Sequence, residues 1–504
     1  MKKTISQNIE GMTSNKTIVF RADGNSKTGL GHLYRLFALV ETYKPYFEVV
    51  FATKETTTME VIPKGYNPFF IPNDISIDKE PEWLSTHFNS DEYIIIADGY
   101  HFDGNYQKQI KNNGFKLIYI DDLIHGKMYA DILVNHAANI DPSQYKTSSG
   151  TQLALGTDYA ILRPSFIKAA QSTTKVTEIS NAFVCFGGAD ALDLSLKATK
   201  ALLQIPSIKS IHVVLGAAYS HSEIFELAKT EGNIQLHKNL DEESLCQLMA
   251  QCQLAIAPAS TIVYELCSVK MPMLSGYFVD NQKNIYKALL KEGAIYGCGD
   301  LAYFTSEDFR EHVETLLAQN HFDAYLKAQQ RLFDGQSPNR FIHLLNTLFI
   351  TFRKATEDDV MLVYDWSNDP MVRQNSYDSK PIVLEHHKAW FSSKIKDGKT
   401  LFLIALYDHQ PAGIVRYEIG KEHSVVGVLV AENFRGRKLS ATLLSESAKH
   451  YFKQNNLPIF AYIKEENKAS IKAFENAGYS FYKQEIVKES PSFVYKLEMN
   501  DHKR

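Results

Sequence analysis

Near the start of the chain a histidine follows two glycines, in the order Gly29, Leu30, Gly31, His32, and a helical pattern continues after it. The apolar strand pattern of residues 17–21 leads into this segment. Glycines let the backbone turn sharply and approach a ligand closely, and the N–H groups at the start of the next helix face an anion. The positive helix end favours a neutral imidazole, which can accept a proton. The segment predicts a general base beside an anionic substrate, and the alternative is a helix-capping contact.

Two turns in the middle of the chain have the composition of a phosphate site. Paired glycines follow an apolar run in the first, and in the second a carboxylate follows two hydroxyl residues by one helical turn. The residues are Gly187, Gly188, Asp190, Ser260, Thr261 and Glu265. Hydroxyls and nearby N–H groups suit a pyrophosphate, and a carboxylate can accept both hydroxyl hydrogens of a ribose. A nucleotide fits this pair, whereas the alternative is that Ser260 caps its helix and Glu265 completes a solvated first turn.

The elements that must position these residues alternate between short apolar strands and helix-length spacers, as buried parallel strands do. Strands are predicted at 17–21, 49–52, 93–97, 116–120 and 131–135, and then at 182–186, 211–215, 254–257 and 272–276. The polar stretch 171–180 separates the two series. Two doubly wound α/β units joined by a linker leave a cleft that faces the carboxyl ends of both sheets, where ligands bind.

From about residue 350 the pattern becomes antiparallel. Strands are predicted at 402–406, 414–419 and 425–430, with connections too short for crossover helices. A helix at 439–454, a strand at 459–463, a helix at 467–476 before Gly478 and a strand at 493–497 complete an α+β domain. The expected domains are residues 17–170, 181–348 and 351–500.

The bulk properties exclude several classes of protein. The chain has 504 residues, enough for about three domains, and 44% hydrophobic and 22% charged residues, as in soluble globular proteins. No apolar run is long enough to cross a membrane, and residues 1–16 form a polar segment expected to be a loose tail. A net charge of −4 offers no basic stripe for nucleic acid. The five cysteines form no C-x-x-C pair or metal-like group, which fits reduced thiols in the cytoplasm and no structural zinc.

An ordered set of motifs resembles a known family. The motifs are RADGNSKTGLGHLYR at 21–35, ADGY at 97–100, IDD at 120–122, LVN at 133–135, GTDYAILR at 156–163, FGGAD at 186–190, ASTIVYE at 259–265 and DGQSPNR at 334–340. Together they resemble the UDP-sugar hydrolases of pseudaminic acid biosynthesis, a branch of nonulosonic acid metabolism, over roughly residues 17–348. That family has the fold of GT-B glycosyltransferases and removes UDP from 2,4-diacetamido-2,4,6-trideoxy-β-L-altrose.

The resemblance implies a division of roles. His32 would activate the water that attacks the anomeric carbon, and Tyr100 would orient it, with no metal required. Asp98 has a competing role as a strand-end carboxylate that holds His32 or Tyr100. Asn281 and Gln282 could reach sugar hydroxyls or be ordinary surface-loop amides. The expected UDP-sugar contacts are Gly29, Gly31, Arg163, Gly187, Gly188, Asp190, Ser260, Thr261, Glu265, Asn281 and Gln282.

Residues 426–440 and 467–479 resemble the coenzyme A loop and the following helix of GNAT N-acyltransferases, over about residues 351–500. The N–H groups of the loop would donate hydrogen bonds to the pyrophosphate of acetyl-CoA. The splayed strand near Val430 would pair with the pantetheine arm of acetyl-CoA. The expected contacts are Leu429, Val430, Arg435, Gly436, Arg437, Lys438, Leu439, Ser440, Asn467 and Ser470.

The GNAT-like segment departs from its family at three positions. Lys438 stands where glycine is typical, and Ser440 where glycine or alanine is typical. A lysine is tolerated if its backbone stays helical. Phe474 stands where many relatives have a tyrosine that protonates the leaving thiolate, so either another acid such as Tyr462 acts or the domain is slow or inactive.

The two resemblances together imply consecutive reactions on one nucleotide sugar. Acetyl-CoA would acetylate the 4-amine of a UDP-sugar, and the product would then lose UDP by hydrolysis. One alternative is a GT-B glycosyltransferase with an attached acetyltransferase. Another is a C-terminal domain that only senses coenzyme A or a sugar and regulates the hydrolase. The expected partners are UDP-sugar and acetyl-CoA, without nucleic acid or membrane.

Overall fold

The computed structural model describes residues 16–25, 29–66, 68–173, 176–319 and 322–499. Two compact units divide the chain, residues 16–340 and a unit built from residue 341 onward. Residues 1–15 of the expected polar tail lie outside the described residues, and so do residues 174 and 175 of the expected linker. Lys16, assigned to that tail, is buried, and its ammonium donates to the carbonyl of Asp91.

The first sheet has seven parallel strands in the order β3-β2-β1-β4-β5-β7-β9. The elements of this half are β1 (Thr17–Arg21), α1 (Gly31–Tyr43), β2 (Glu48–Lys54), β3 (Pro68–Ile71), α2 (Glu80–His87), β4 (Tyr93–Asp98), α3 (Gly104–Asn112), β5 (Lys116–Ile120), β6 (Lys127–Met128), β7 (Ile132–Asn135), β8 (Lys146–Thr147), β9 (Gln152–Leu155) and α4 (Pro164–Ala170). The central strands are buried on both faces because they are rich in Ile, Val and Leu. Strands β6 and β8 pair separately.

The second sheet has six parallel strands in the order β12-β11-β10-β13-β14-β15. Its elements are β10 (Asn181–Val184), α5 (Leu194–Leu203), β11 (Ser210–Leu215), α6 (Glu223–Thr230), β12 (Ile234–Lys238), α7 (Glu242–Ala250), β13 (Leu254–Pro258), α8 (Ile262–Val269), β14 (Met273–Tyr277), α9 (Lys283–Lys291), β15 (Tyr296–Asp300), α10 (Ser306–Ala318), α11 (Asp323–Leu332) and α12 (Ser337–Thr347). Counted from β10, this order is 3-2-1-4-5-6, that of a Rossmann fold. A hydrophobic cluster lies on each face.

Helix α4 packs with the second sheet, although residues up to 170 were expected in the first domain. Its Phe166 is fully buried in the cluster that contains Val263 and Leu266 of α8. The ammonium of Lys270 donates to the carbonyl of Ala170 at 2.7 Å, at the end of α4. The apolar face of α4 therefore belongs to the core of the second half.

The unit that starts at residue 341 contains a mixed sheet in the order β16-β17-β18-β19-β20-β22-β21. Its elements are β16 (Ile350–Lys354), α13 (Val360–Asn368), α14 (Pro370–Asn375), α15 (Leu384–Lys396), β17 (Thr400–Tyr407), β18 (Gln410–Ile419), β19 (Ser424–Val430), α16 (Leu439–Phe452), β20 (Ile459–Lys464), α17 (Lys468–Asn476), β21 (Ser480–Val487) and β22 (Ser490–Leu497). Helices α16 and α17 cover one face, and α13 and α15 the other. The expected fold class, two Rossmann-like domains followed by an α+β domain, is confirmed.

Candidate active sites

His32 lies in the first turn of α1 and contacts the carboxylate at the end of β4. Its Nδ1 is 2.7 Å from Oδ1 of Asp98, which is fully buried. A carboxylate can only accept, so Nδ1 of the neutral ring carries the proton and Nε2 keeps its lone pair. The residue before the helix, Leu30, makes no side-chain cap in the described residues. His32 is therefore an oriented imidazole rather than a capping residue.

Arg35 lies one helical turn after His32 and holds both oxygens of the same carboxylate. Its Nε is 2.6 Å from Oδ2 of Asp98, and its Nη2 is 2.6 Å from Oδ1. Burial alone would raise the pKa of Asp98, but the Arg35 charge and the hydrogen bond from His32 outweigh it and hold that pKa below its usual range. Asp98 is therefore ionised at neutral pH and orients the imidazole.

Tyr100 follows β4 by two residues and lies beside His32. The two rings meet edge-on with their centroids 4.6 Å apart. The Tyr100 hydroxyl donates to Oδ2 of Asp122 at 3.4 Å, a long hydrogen bond. The same oxygen lies 3.2 Å from Nη1 of Arg35. The structure thus brings Tyr100 to His32, while Asp98 holds His32 and Asp122 holds Tyr100.

Three residues near the contact between His32 and Asp98 have no role assigned from the sequence: Arg35, Asp122 and His136. The helical sequence pattern predicts a solvent-exposed polar position at Arg35, whereas Asp122 and His136 follow β5 and β7. The carboxyl ends of parallel strands lie at the same edge of a sheet. The positions of Asp122 and His136 shortly after two strands could therefore have predicted that both lie near Asp98. His136 is buried, and burial together with the charge of Arg35 lowers its pKa to about 3. Its ring is therefore neutral at physiological pH.

A buried ion-pair network anchors the first glycine turn. Arg21, fully buried at the end of β1, donates from Nε and Nη2 to Glu80 at 2.7 and 2.9 Å and from Nη2 to Asp23 at 2.8 Å. Asp23 also accepts the backbone N–H of Lys54 at 2.7 Å. Gly29 has a φ of +83°, which favours glycine, and nothing lies near the position of a Cβ. The network fixes the start of the turn. Residues 26–28 of the turn lie outside the described part of the chain.

The second glycine turn follows β10 after two further residues, Cys185 and Phe186. Gly187 has a φ of +86°, and a Cβ on Gly216 would lie 2.2 Å from the carbonyl oxygen of Gly188. The backbone conformation therefore favours glycine at 187, and the close approach to Gly188 requires it at 216. The carboxylate of Asp190 accepts the backbone N–H groups at the start of α5 at 2.9 and 2.8 Å. Its observed role is local, and its contact with UDP stays a prediction.

Near the start of α8, Arg163 and Glu265 form an ion pair, although each was predicted to contact the nucleotide on its own. Thr261 precedes the helix without a side-chain cap among the described residues. Arg163 donates from Nε and Nη2 to the two oxygens of Glu265, each at 2.8 Å. Burial raises the pKa of Glu265, and Arg163 opposes this. Each oxygen keeps a second lone pair that can accept a ribose hydroxyl, so the predicted contact is compatible with the pair.

The two amides predicted to reach the sugar differ in their surroundings. Asn281 is exposed, whereas Gln282 is buried. Oε1 of Gln282 accepts the backbone N–H of Phe278 at 3.0 Å. The carbonyl of Gln282 therefore stabilises its own loop, and the sugar contacts of both residues stay predictions.

In the C-terminal unit, two neighbouring parallel strands separate. Strand β19 pairs with β20 only at Ser424 and Val425, although it pairs with β18 along its whole length. Residues 426–430 therefore have one open strand edge, and this segment includes Leu429 and Val430. An extended ligand can pair with such an edge through backbone hydrogen bonds.

The turn after β19 has a strained backbone at its last residue. Gly436 has a φ of +80°, and Lys438 has a φ of +56° immediately before α16. The condition that Lys438 stays helical is not met, because the left-handed conformation there is one that glycine adopts without steric cost. Arg435 stabilises the turn through Asp369, 2.9 Å from Nη2, and the carbonyl of Val430, 3.2 Å from Nε.

Helix α17 begins with a side-chain cap. Oδ1 of Asn467 accepts the backbone N–H of Ser470 at 3.0 Å, a capping contact between two residues predicted to touch acetyl-CoA. Phe474 is buried, and its ring centroid lies 5.0 Å from that of Tyr479. Tyr462 is half-buried on β20. The contacts with acetyl-CoA and the acid role of Tyr462 stay predictions.

Two features are absent from the described residues. No group of three or more His, Cys, Asp or Glu side chains there is placed to hold a metal ion. No helix in the described ranges is long and apolar enough to cross a membrane. All five cysteines are free thiols, four of them buried.

Fold and site together define a two-part protein: a Rossmann-like pair with an oriented histidine at a sheet edge, followed by an α+β domain with a splayed strand pair. Residues 350–480 match the model of the acetyltransferase (GNAT) domain. The C-terminal part is therefore a GNAT domain, as the sequence resemblance implied.

The relatives cover both parts of the chain. A UDP-2,4-diacetamido-2,4,6-trideoxy-β-L-altropyranose hydrolase of Campylobacter jejuni is 27% identical over 282 residues, which are 55% of this chain and 97% of the relative. An uncharacterized protein of Methanocaldococcus jannaschii is 25% identical over 92% of this chain and 96% of its own length. The MurG structure of Acinetobacter baumannii is 16% identical, with a TM-score of 0.46, over 62% of this chain and 95% of MurG. The resemblance to the hydrolase is confirmed, and the chain fuses such a segment to a GNAT domain.

Proposed function

We propose that this chain is a bifunctional enzyme of pseudaminic acid biosynthesis. Its GNAT domain acetylates the 4-amine of a UDP-4-amino-4,6-dideoxy sugar, and its N-terminal unit hydrolyses the product to UDP and 2,4-diacetamido-2,4,6-trideoxy-L-altrose. The observation that carries the proposal is the His32–Asp98 contact of 2.7 Å, which leaves Nε2 as a base. The similarity to the Campylobacter jejuni hydrolase supports the substrate. We place the enzyme in the cytoplasm, where free thiols are stable.

In the hydrolysis step, Nε2 of His32 takes a proton from water while the water oxygen bonds to the anomeric carbon. The bond from that carbon to the UDP oxygen breaks, and UDP leaves with the electron pair. UDP is a good leaving group, so the site chiefly positions the water and stabilises the departing charge. Tyr100, 4.6 Å from His32 between ring centroids, would orient the water. The glycine turn at 187–188 and the start of α8 would receive the phosphates.

In the acetylation step, the neutral amine nitrogen attacks the thioester carbonyl of acetyl-CoA. A C–N bond forms, the C–S bond breaks, and coenzyme A leaves as the thiol after proton transfer. The open edge of residues 426–430 and the turn before α16 support the placement of acetyl-CoA. The buried Phe474 has no hydroxyl, which favours the second candidate, a GNAT domain that binds coenzyme A only to regulate the hydrolase.

One experiment tests the proposal and the order of the steps. The full chain is mixed with the UDP-4-amino sugar, with and without acetyl-CoA, and UDP, coenzyme A and free sugar are followed together. A cationic amine in a pocket shaped for a neutral acetamide is disfavoured, so without acetyl-CoA we expect UDP release about 100-fold slower. With acetyl-CoA, coenzyme A should appear before UDP. Full-speed UDP release without acetyl-CoA would support the regulatory candidate, and sugar transfer to a hydroxyl acceptor would support a glycosyltransferase.

Metal removal gives a separate prediction. We propose that hydrolysis needs no metal, since helix ends and backbone N–H groups would hold the phosphates. UDP release should therefore stay within twofold of its untreated rate after dialysis against EDTA. Loss of activity that returns with magnesium would contradict this prediction.

A further inference from the structure

One arginine connects the two side chains that the proposed hydrolysis uses. Arg35 contacts both oxygens of Asp98 at 2.6 Å, and Asp98 holds His32. Its Nη1 also lies 3.2 Å from the Asp122 oxygen that accepts the Tyr100 hydroxyl. The side chain of Arg35 is only 12% exposed, so water screens these contacts weakly.

The contact between His32 and Asp98 has two opposite effects on a general base. It fixes the tautomer with Nε2 free, which a base needs. A buried carboxylate 2.7 Å away also stabilises the imidazolium, and a protonated imidazole cannot accept a proton. If Asp98 acted alone, its charge would therefore oppose the function of His32 as a base.

The position of Arg35 offsets the stabilisation of the imidazolium by Asp98 but leaves the tautomer of His32 fixed. Its positive charge lies against the negative charge of Asp98, and its Nη2 is 3.1 Å from Nδ1 of His32. The arginine–carboxylate pair is close to neutral as seen from His32, and the nearby guanidinium disfavours an imidazolium. We propose that Arg35 is a positioning residue that offsets the charge of Asp98, so that Asp98 fixes the tautomer of His32 without weakening it as a base. This inference rests on the proposed hydrolysis.

The other charged and titratable groups around the pair do not replace Arg35. Asp122 follows β5 and would favour an imidazolium, as Asp98 does, but it is also paired with Arg35. Tyr100 stays neutral, because burial and Asp122 raise its pKa. His136, after β7, has a pKa of about 3 and carries no charge in the working range. Among the described residues that face Asp98, Arg35 supplies the positive charge.

The test compares Arg35→Met, which has similar length but no charge, with the wild-type chain. The acid limb of the pH profile of kcat/KM for UDP release should move to higher pH by about one unit or more. Independently of activity, the His32 imidazole signal in the full chain labelled with 13C-histidine, assigned with His32→Gln, should titrate at correspondingly higher pH. If the wild type releases no UDP, the proposed hydrolysis fails, and the NMR titration still tests Arg35.

Further variants separate an electrostatic role from a structural one. Arg35→Met combined with Asp98→Asn removes both charges, so the acid limb should move back toward that of the wild type. Arg35→Lys keeps the charge and should give an acid limb between those of the wild type and Arg35→Met. Arg35→Gln, which is also uncharged, replaces Arg35→Met in the test if Arg35→Met does not fold. Arg353→Met removes a similar arginine–aspartate pair, with contacts of 2.7 and 2.6 Å, in the C-terminal unit and should leave the profile unchanged.

Two results would overturn the inference. In the first, Arg35→Met or Arg35→Gln lowers the rate but the acid limb and the His32 titration stay within 0.2 unit of the wild type, as expected for a merely structural role. In the second, Arg35→Met and its double variant with Asp98→Asn show the same acid limb, which would mean that Asp98 is not the charge that Arg35 offsets.

Discussion

The two nitrogens of His32 have different surroundings, and the proposed chemistry depends on this difference. Nδ1 faces the ionised Asp98, so only Nε2 can take a proton from water. Replacing His32 by Gln should lower UDP release by about 100-fold or more, because a positioned base contributes that much. UDP affinity, measured by calorimetry, should change less than threefold, since the phosphates would be held elsewhere.

The matched control for this prediction is His87→Gln. His87 is exposed at the end of α2, where its Nδ1 contacts the carbonyl of Trp83 at 2.9 Å. Its replacement should leave UDP release unchanged. Hydrolysis by His32→Gln within threefold of the wild-type rate would contradict the assignment of the base.

Single residues differ in how far the sequence predicts their surroundings. His32 and Asp98 could be selected because one follows glycines at a helix start and the other ends a buried strand. Arg35 could not be selected, since an arginine inside an amphipathic helix is usually solvated and only the fold brings Asp98 to it. The ion pair of Arg163 and Glu265 could not be predicted from the local sequence either, because the two residues are 102 positions apart.

At the scale of elements, the strands that were predicted are the apolar ones in the middle of each large sheet. In the three large sheets, the strands that were not predicted are β3, β9, β12, β15, β16 and β21, and all six are edge strands. An edge strand pairs on one side only and tolerates polar residues, glycine and proline, so its hydrophobic pattern is weak. Strand β15, with the sequence YGCGD, shows this clearly.

The start of α16 gives a prediction about stability. Lys438 has a φ of +56°, which costs a side chain with a Cβ about 1 kcal/mol. Lys438→Gly should leave the free energy of unfolding of the C-terminal unit equal or slightly higher, because relief of this strain is partly offset by the greater freedom of glycine in the unfolded chain. Lys438→Val should lower it by about 1–2 kcal/mol, since β-branched residues fit this conformation poorly. Urea denaturation measures both changes.

A lysine elsewhere in the same helix serves as the control. Lys449 lies within α16, where Lys449→Gly should destabilise the unit by about 1 kcal/mol. The two glycine substitutions should therefore differ clearly. Equal destabilisation by both would mean that Lys438 is not strained in solution.

At the scale of the whole molecule, the position of a cut between the units should decide whether the C-terminal piece folds. The unit boundary after Arg340 falls inside α12, and residue 351 falls inside β16. His343 and Asn346 of α12 contact Thr442 and the carbonyl of Arg437 at 3.1 and 3.2 Å. A piece that starts at residue 352 lacks these contacts and part of the strand.

We therefore expect the piece 337–504 to unfold cooperatively, with a Tm at least about 10 °C above that of the piece 352–504. The piece 1–336 should keep UDP release. Circular dichroism on heating and a UDP assay check both expectations. Equal Tm values for the two C-terminal pieces would show that α12 and the first residues of β16 do not stabilise the GNAT domain, and an inactive but folded piece 1–336 would indicate a site that needs the C-terminal part.

The early separation of β19 from β20 has a consequence for deuterium uptake. Among the described residues, the backbone amides of 426–430 that point away from β18 have no strand partner on the β20 side, since pairing with β20 ends at Val425. These amides should exchange within seconds in the free protein, while their neighbours bonded to β18 remain protonated for much longer. Acetyl-CoA bound along this edge should slow the exchange of the open amides alone, so mass spectrometry of the peptide that contains them would detect the ligand even if no acetyl group were transferred.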